Sequence, residues 1–326
     1  MSLVALERLT MRYPGGVTAL DELTLTIEPG TVGLVGANGA GKSTLIKILL
    51  GLLDATSGSA RVFDLDVRTQ SRQIRQLVGY MPEHDCLPPD ISASDFVNHM
   101  ARMSGLPRSA ARERSADVLR HVGLFEERYR PMGGYSTGMK QRVKLAQALV
   151  HDPRLMLLDE PTNGLDPAGR DDMLDLIERT GNEFGIAVIM ASHLLGEIEK
   201  VCDFLVAIDA GRLLRAAALR TFTQHTGTLI LEVEAHGSRL ADQLTALGLS
   251  VLVDDAHVLV EISGDETYDQ VRDAIVDLDL ALLRMVPRRA HLEDLFRDDA
   301  GEALAPVAGG YPGSGDGGDL DIGDDR

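Results

Sequence analysis

The chain has 326 residues, 44% of them hydrophobic, and a formal net charge of −18 at pH 7. Its length predicts two domains with ordinary globular cores. The acidity argues against a general nucleic-acid binder, because phosphate backbones attract basic surfaces and an acidic surface repels them, although it leaves room for a local basic patch.

Targeting and redox signals are sparse in this sequence. No apolar run reaches the roughly 18 residues that span a bilayer, and residues 1–10 contain neither a basic leader nor a long apolar core. We therefore expect a cytoplasmic protein. Cys86 and Cys202 have no metal-ligand spacing, which predicts reduced structural thiols rather than a disulfide framework or a zinc site.

The first motif along the chain is a glycine-rich loop between a predicted strand, Thr31–Val35, and a predicted helix at 42–50. Its G-x-x-x-x-G-K-[ST] spacing is typical of a phosphate-binding loop, in which backbone N–H groups and the helix N-terminus face an anion. Lys42 is expected to reach the β- and γ-phosphates of a nucleoside triphosphate, and Ser43 to ligate Mg²⁺. The predicted phosphate-binding residues are Gly36, Asn38, Gly39, Gly41, Lys42, Ser43 and Thr44.

A helical insertion and a second glycine-containing segment follow. Residues 92–105 and 108–123 have helical periodicity, with prolines between the segments. After them comes the segment YSTGMKQR at 135–142, where Ser136 can cap the next helix and Gly138 keeps its first turn open. From the residues alone, this segment is either a second phosphate site or only a capped helix.

Two carboxylates follow the apolar strand Leu155–Asp159. Asp159 can hold Mg²⁺ through its water shell, and Glu160 can polarise the water that attacks a γ-phosphate; the alternative is a pair of solvated acids at a strand end. Further strands are predicted at 186–191 and Phe204–Asp209. This alternation of short strands and helices predicts an α/β fold around a largely parallel sheet.

The last third of the chain has a different pattern. Residues 221–297 show a β-α-β-β-α-β order, which predicts a small accessory α+β domain. Residues 298–326 contain eight acidic residues, eight glycines and one basic residue. Such a segment buries too little apolar surface to order itself, so we expect a disordered tail.

The ordered motifs GANGAGKST, YSTGMKQR and LMLLDEPTNGLD, followed by Ser192 and His193, resemble the ATP-binding cassette family, specifically the nucleotide-binding subunit of a membrane transporter. The resemblance covers roughly residues 1–220 and implies a P-loop cassette with a helical subdomain at about 84–150. It implies an ATPase that uses ATP and Mg²⁺ and works with a separate transmembrane permease on the cytoplasmic face of the membrane.

The resemblance also implies that two cassettes pair head to tail, the second being another copy of this chain or a paralogue. Each ATP then lies between one phosphate loop and the other cassette's signature segment, here Ser136, Thr137 and Gly138. The loop Asn163-Gly164-Leu165-Asp166 matches the one that crosses this interface, where Asp166 would link the two sites.

Three further roles are carried over by matching positions. Tyr13 resembles the aromatic residue that stacks on adenine, with a plain surface tyrosine as the alternative. His193 resembles the switch histidine that senses the γ-phosphate. Glu83 occupies the place of a glutamine that contacts Mg²⁺ and the attacking water, and its extra charge should be tolerated only with the metal present.

The Met-Pro-Glu variant at 81–83, together with the Tyr-Ser-x-Gly-Met signature, resembles cassettes paired with export-type permeases. An importer's ATPase and a soluble non-transport ABC ATPase remain the alternatives. His84, Leu87, Phe96 and Met100 are candidates for a permease-docking groove or, alternatively, for core positions. The transported substrate does not follow from this sequence.

Overall fold

The computed structural model describes residues 2–219, 225–234, 237–254, 257–262, 264 and 266–289. Up to residue 219 its strands and helices are β1 (Val4–Arg12), β2 (Thr18–Ile27), β3 (Thr31–Val35), α1 (Lys42–Leu49), β4 (Ser57–Val62), β5 (Leu65–Asp66), α2 (Ser71–Leu77), β6 (Val78–Met81), α3 (Ala93–Met103), α4 (Arg108–His121), α5 (Thr137–Leu149), β7 (Leu155–Asp159), α6 (Pro167–Phe184), β8 (Ala187–Ser192), α7 (Leu195–Val201), β9 (Phe204–Asp209) and β10 (Arg212–Ala218). Beyond residue 219 they are β11 (His225–Val233), α8 (Gly237–Ala246), β12 (Val251–Asp254), β13 (His257–Glu261), α9 (Glu266–Asp277) and β14 (Leu282–Arg289).

A six-stranded sheet in the order β10-β9-β3-β8-β7-β6 forms the centre of the first part. Five of its strands are parallel, and only β10 runs antiparallel, to β9. All five residues of β7 are buried, as expected for a strand covered on both faces. The predicted α/β fold around a largely parallel sheet is confirmed.

The register of the parallel strands gathers the distant motifs. Val35 at the end of β3 lies beside Ser192 of β8, and Asp159 at the end of β7 lies beside Ala191. The carboxyl ends of β3, β7 and β8 therefore meet at one sheet edge, which is where α/β proteins bind their ligands.

A second sheet was not predicted from the sequence. It is antiparallel, with the order β2-β1-β4-β5, and packs its apolar face into a core that includes Leu6, Leu23, Ile46 and Val62. Tyr13 follows β1 directly, so this sheet decides where that side chain lies relative to the phosphate loop.

The helical insertion is built on local caps and one shared core. Ser92 accepts a hydrogen bond from the Asp95 backbone N–H at the start of α3. Phe96 and Val97 of α3 join the hydrophobic core that also contains Leu119 of α4 and Leu145 of α5. Phe96 is thus a core residue, and the groove interpretation of this position is wrong.

The β-α-β-β-α-β order is observed in the last part of the chain. Its strands form an antiparallel sheet in the order β12-β13-β11-β14, and a core of its own includes Leu229, Leu240, Val258 and Val271. The predicted disordered tail, residues 298–326, lies outside the described residues. Among the helices of the described part, none is long and apolar enough to cross a membrane.

Gly79 of β6 shows how tightly α5 packs on the central sheet. A Cβ at this position would lie 2.1 Å from the carbonyl oxygen of Ala148. Since backbone cannot easily yield, Gly79→Ala is expected to lower the free energy of unfolding by about 1–3 kcal/mol, measured by urea denaturation. Gly196→Ala is the control, because its Cβ would have no neighbour within 4 Å; an equal loss in both variants would contradict the packing argument.

Candidate active site

The glycines of the phosphate loop are required by the fold. Gly39 and Gly41 have φ values of 88° and 107°, which side chains rarely tolerate. A Cβ on Gly41 would also lie 2.4 Å from the Ala19 carbonyl oxygen, and one on Gly36 would lie 2.2 Å from that of Ile208. Asn38 is exposed.

Lys42, the first residue of α1, is buried with only 6% of its surface exposed. Its ammonium donates to the carbonyl oxygens of Gly36, at 2.6 Å, and Ala37, at 3.3 Å. It also lies 3.6 Å from Glu160 Oε1. The loop cation and the second strand-end acid, more than a hundred residues apart in sequence, are therefore neighbours.

Ser43 and Asp159 meet at the same sheet edge. The Ser43 hydroxyl donates to Asp159 Oδ1 at 3.1 Å. Burial raises the pKa of the Asp159 carboxyl, and the charges of Glu83 and Glu160 raise it further, whereas the Ser43 hydrogen bond lowers it. A hydroxyl beside a carboxylate is the oxygen donor set that Mg²⁺ prefers, so these residues fit that ion.

Glu160 has an unusual backbone and an unsatisfied oxygen. Its φ is 49°, a left-handed value uncommon for residues other than glycine. His193 Nδ1 lies 2.8 Å from Glu160 Oε2 and can donate to it. Glu160 Oε1 is buried and has no hydrogen-bond partner among the described residues. A buried acceptor in this state is able to take a hydrogen bond from a bound water.

Glu83 lies two residues after β6, the strand that pairs with β7. Its Oε1 accepts a hydrogen bond from Asn163 Nδ2 at 3.3 Å, and Gln141 Nε2 donates to the Asn163 carbonyl oxygen at 2.9 Å. The backbone carbonyl of Glu83 accepts from Lys144 Nζ at 2.9 Å. The contacts that link Gln141, Lys144 and Asn163 to Glu83 were not predicted from the sequence, because the spacing of these residues to Glu83 carries no signal.

Tyr13 and the phosphate loop are brought together by the antiparallel sheet. The Tyr13 hydroxyl lies 3.3 Å from Thr44 Oγ1, and the side chain is partly buried against the core. The tyrosine predicted to stack on adenine is therefore adjacent to the end of the loop predicted to hold the phosphates.

The signature segment lies apart from these groups. Ser136 caps α5 by accepting from the Met139 backbone N–H at 3.3 Å, and Ser136 and Thr137 are exposed. In the described part of the chain, neither these two residues nor Gly138 forms a hydrogen bond or ion pair with the phosphate loop. Asp166 caps α6 through the Gly169 backbone N–H.

A buried carboxylate, also missed from the sequence, braces the strand ends. Glu197 of α7 accepts hydrogen bonds from the Thr162 hydroxyl at 2.7 Å and from the Ser192 hydroxyl at 2.8 Å. It thereby ties the turn after Glu160 to the residue before His193. Its only sequence signal would have been an acidic residue within an otherwise apolar helix face.

Comparison with known proteins agrees with this geometry. The family pattern described as ABC transporter matches residues 20–163. The chain is 34% identical over 283 residues to the Bacillus subtilis protein YdbJ, described as an uncharacterized ABC transporter ATP-binding protein, covering 86% of this chain and 90% of that protein. It is 30% identical over 306 residues to the Nod factor export ATP-binding protein I of Ralstonia nicotianae, covering 90% and 92%.

The fold is also that of solved cassettes. The structure of cbiO1 from Clostridium perfringens, described as part of the ABC transporter complex cbiONQ, has a TM-score of 0.62 and 28% sequence identity. The similarity covers 68% of this chain and 90% of cbiO1. The chain belongs to the ATP-binding proteins of ABC transporters, and it is an ATP-hydrolysing cassette.

Proposed function

We propose that this chain is the motor subunit of an export-type ABC transporter, peripheral on the cytoplasmic face of the cell membrane and bound to a separate transmembrane permease. The observation that carries the direction of transport is the similarity to the Nod factor export protein. That similarity spans 92% of the exporter's length and thus extends beyond the cassette into the accessory domain. We propose residues 221–297 as the bounds of this domain.

The arrangement of charged groups supports a division of roles in hydrolysis. When ATP binds, the Lys42 ammonium would move away from Glu160 and contact the β- and γ-phosphates. Tyr13 would lie against adenine. Ser43, Asp159 and Glu83 would hold Mg²⁺, which when bound neutralises charge on the phosphates. Glu160 Oε1 would accept the hydrogen of the attacking water while His193 holds Oε2. Water then bonds to the γ-phosphorus, the bond to the β-phosphate oxygen breaks, and Glu160 takes the proton.

Two cassettes would complete two sites. ATPases of this family pair and work with a transmembrane component. Ser136, Thr137 and Gly138 are exposed or half-buried and make no polar contact with their own phosphate loop. We assign them to the ATP on the partner, and Asp166 to the interface. One chain carries both halves, so two copies of it contain all the parts of two sites, and a paralogous cassette is the alternative partner.

The experiment is purification of the tagged full chain from membranes in mild detergent. We expect a membrane protein without a cassette to co-purify, and hydrolysis to change when the complex is placed in lipid vesicles. A chain recovered only with ribosomes or nucleic acid, with the same ATPase rate in the presence and absence of membranes, would exclude the motor function.

Glu83 is expected to make nucleotide engagement strongly dependent on Mg²⁺. A carboxylate beside the phosphates repels them unless a metal lies between. Glu83→Gln should therefore weaken the dependence of ATP binding on Mg²⁺ concentration, measured by titration with a fluorescent ATP analogue. Asp85→Asn is the matched control, since it removes an exposed carboxylate two residues away. An unchanged metal dependence in Glu83→Gln would refute this role.

A further inference from the structure

The segment that carries Glu83 is fixed by one helix, α5. Lys144 of this helix donates to the carbonyl oxygens of Glu83, at 2.9 Å, and His84, at 3.4 Å. One turn earlier, Lys140 Nζ lies 3.2 Å from Asp85 Oδ2. Residues 83–85 are therefore each in contact with a lysine on one face of α5.

The two lysines differ in their surroundings. Lys144 is only 3% exposed, and its ammonium has no carboxylate within ion-pair distance in the described part of the chain. Lys140 is partly exposed and forms an ordinary surface ion pair with Asp85. Burying a cation is costly unless its donors are satisfied. Because the hydrogen-bond acceptors of Lys144 are main-chain oxygens, the lysine fixes the backbone at Glu83.

A second connection reaches the Glu83 side chain from the same helix. Gln141, one turn before Lys144, donates to the Asn163 carbonyl oxygen, and Asn163 donates to Glu83 Oε1. Residues 141 and 144 are neighbours on one helix face. Both the backbone and the side chain of Glu83 thus depend on α5, and the signature segment lies at the start of this helix, which Ser136 caps.

We infer that Lys144 is a positioning residue, which determines the position of Glu83 relative to the metal-bound nucleotide. Through Lys144, a movement of α5 would change the position of Glu83. When the other cassette's ATP contacts Ser136 and Gly138, the change would then be transmitted to Glu83 through the part of α5 between Ser136 and Lys144, about two helical turns. The inference rests on the proposed function, because Glu83 and the signature segment have their roles only there.

The test is a double-mutant cycle between Lys144→Met and Glu83→Ala in the full chain, with single-turnover hydrolysis of labelled ATP. Lys144→Met alone should lower the rate by about 10–100-fold, the usual effect of losing a residue that orients a metal ligand. The KM for ATP should stay near that of the wild type. In the Glu83→Ala background, Lys144→Met should cause no further loss, because interactions within one network are not additive.

The controls separate positioning from folding. Lys140→Met, one turn away on the same face, should hydrolyse ATP like the wild type. If Lys144→Met does not fold, as judged by circular dichroism, Lys144→Gln takes its place in the cycle with a smaller expected loss that again vanishes in the Glu83→Ala background. Equal losses in both backgrounds would overturn the inference, and so would unaltered hydrolysis in Lys144→Met. Neither result would contradict the proposed function, which is tested separately by co-purification of a membrane protein and by the Glu160→Gln variant.

Discussion

Glu160→Gln is expected to leave ATP binding intact and to lower steady hydrolysis by about 10²–10⁴-fold, the contribution typical of a general base. The amide keeps the shape and the contact with His193, but it cannot take the proton of the attacking water. The expectation depends on Oε1, which is buried and has no hydrogen-bond partner among the described residues. Phosphate release measures hydrolysis, and equilibrium dialysis measures ATP binding.

The same variant should accumulate as an ATP-bound dimer, because the nucleotide that joins two cassettes is no longer consumed. Light scattering with and without ATP and Mg²⁺ detects this change in mass. Glu199→Gln, an exposed carboxylate on α7, is the control and should behave like the wild type. A Glu160→Gln dimer that still hydrolyses ATP at the normal rate would show that another group activates the water.

Two inactive variants are expected to restore hydrolysis when they are mixed. Lys42→Ala removes the cation from the phosphate loop, and Gly138→Asp places a carboxylate next to the partner's γ-phosphate, where like charges repel. Each variant alone has two defective sites. A mixed head-to-tail pair has one site with both defects and one site with neither, so random pairing should return about a quarter of the wild-type rate.

The surroundings of Gly138 make this experiment interpretable. A Cβ there would meet only Leu165 Cδ2, at 3.8 Å, which is an ordinary contact. The variant should therefore fold, which thermal unfolding can check, and Gly138→Ala serves as its uncharged control. If both variants fold and pair but their mixture stays inactive, the ATP does not lie between two copies of this chain. A wild-type chain inactive on its own would instead indicate a paralogous partner.

Four strands of the central sheet, β3, β7, β8 and β9, and the helix after the phosphate loop were predicted to within one or two residues, since each follows from a local run of residues. The outer strands β6 and β10 were not predicted. The strand expected at 186–191 is Ala187–Ser192, and the helix expected at 42–50 is Lys42–Leu49. The antiparallel sheet was not predictable in the same way. β1 pairs with β4, about fifty residues away, and no local pattern specifies such a partner.

Phe96 illustrates the limit of periodicity. An apolar position on a helix face is equally compatible with a docking groove and with a core, and only the packing of α3 against α4 and α5 decided for the core. The positive φ of Glu160 likewise could not be predicted from the sequence. This φ value occurs directly after the end of β7, where the chain turns while the Glu160 backbone N–H donates to the Ala191 carbonyl oxygen.

The amino-acid sequence determined the groups that lie close together along the chain: the phosphate loop with Lys42 and Ser43, the signature segment, and the paired acids. Their chemistry follows from covalent spacing, which no packing can change. Only the tertiary structure decided that Lys42, Glu160 and His193 meet, and that Lys144 holds the backbone of Glu83. These contacts exist because the parallel register brings separate strand ends to one edge, and burial of apolar faces, not sequence distance, sets that register.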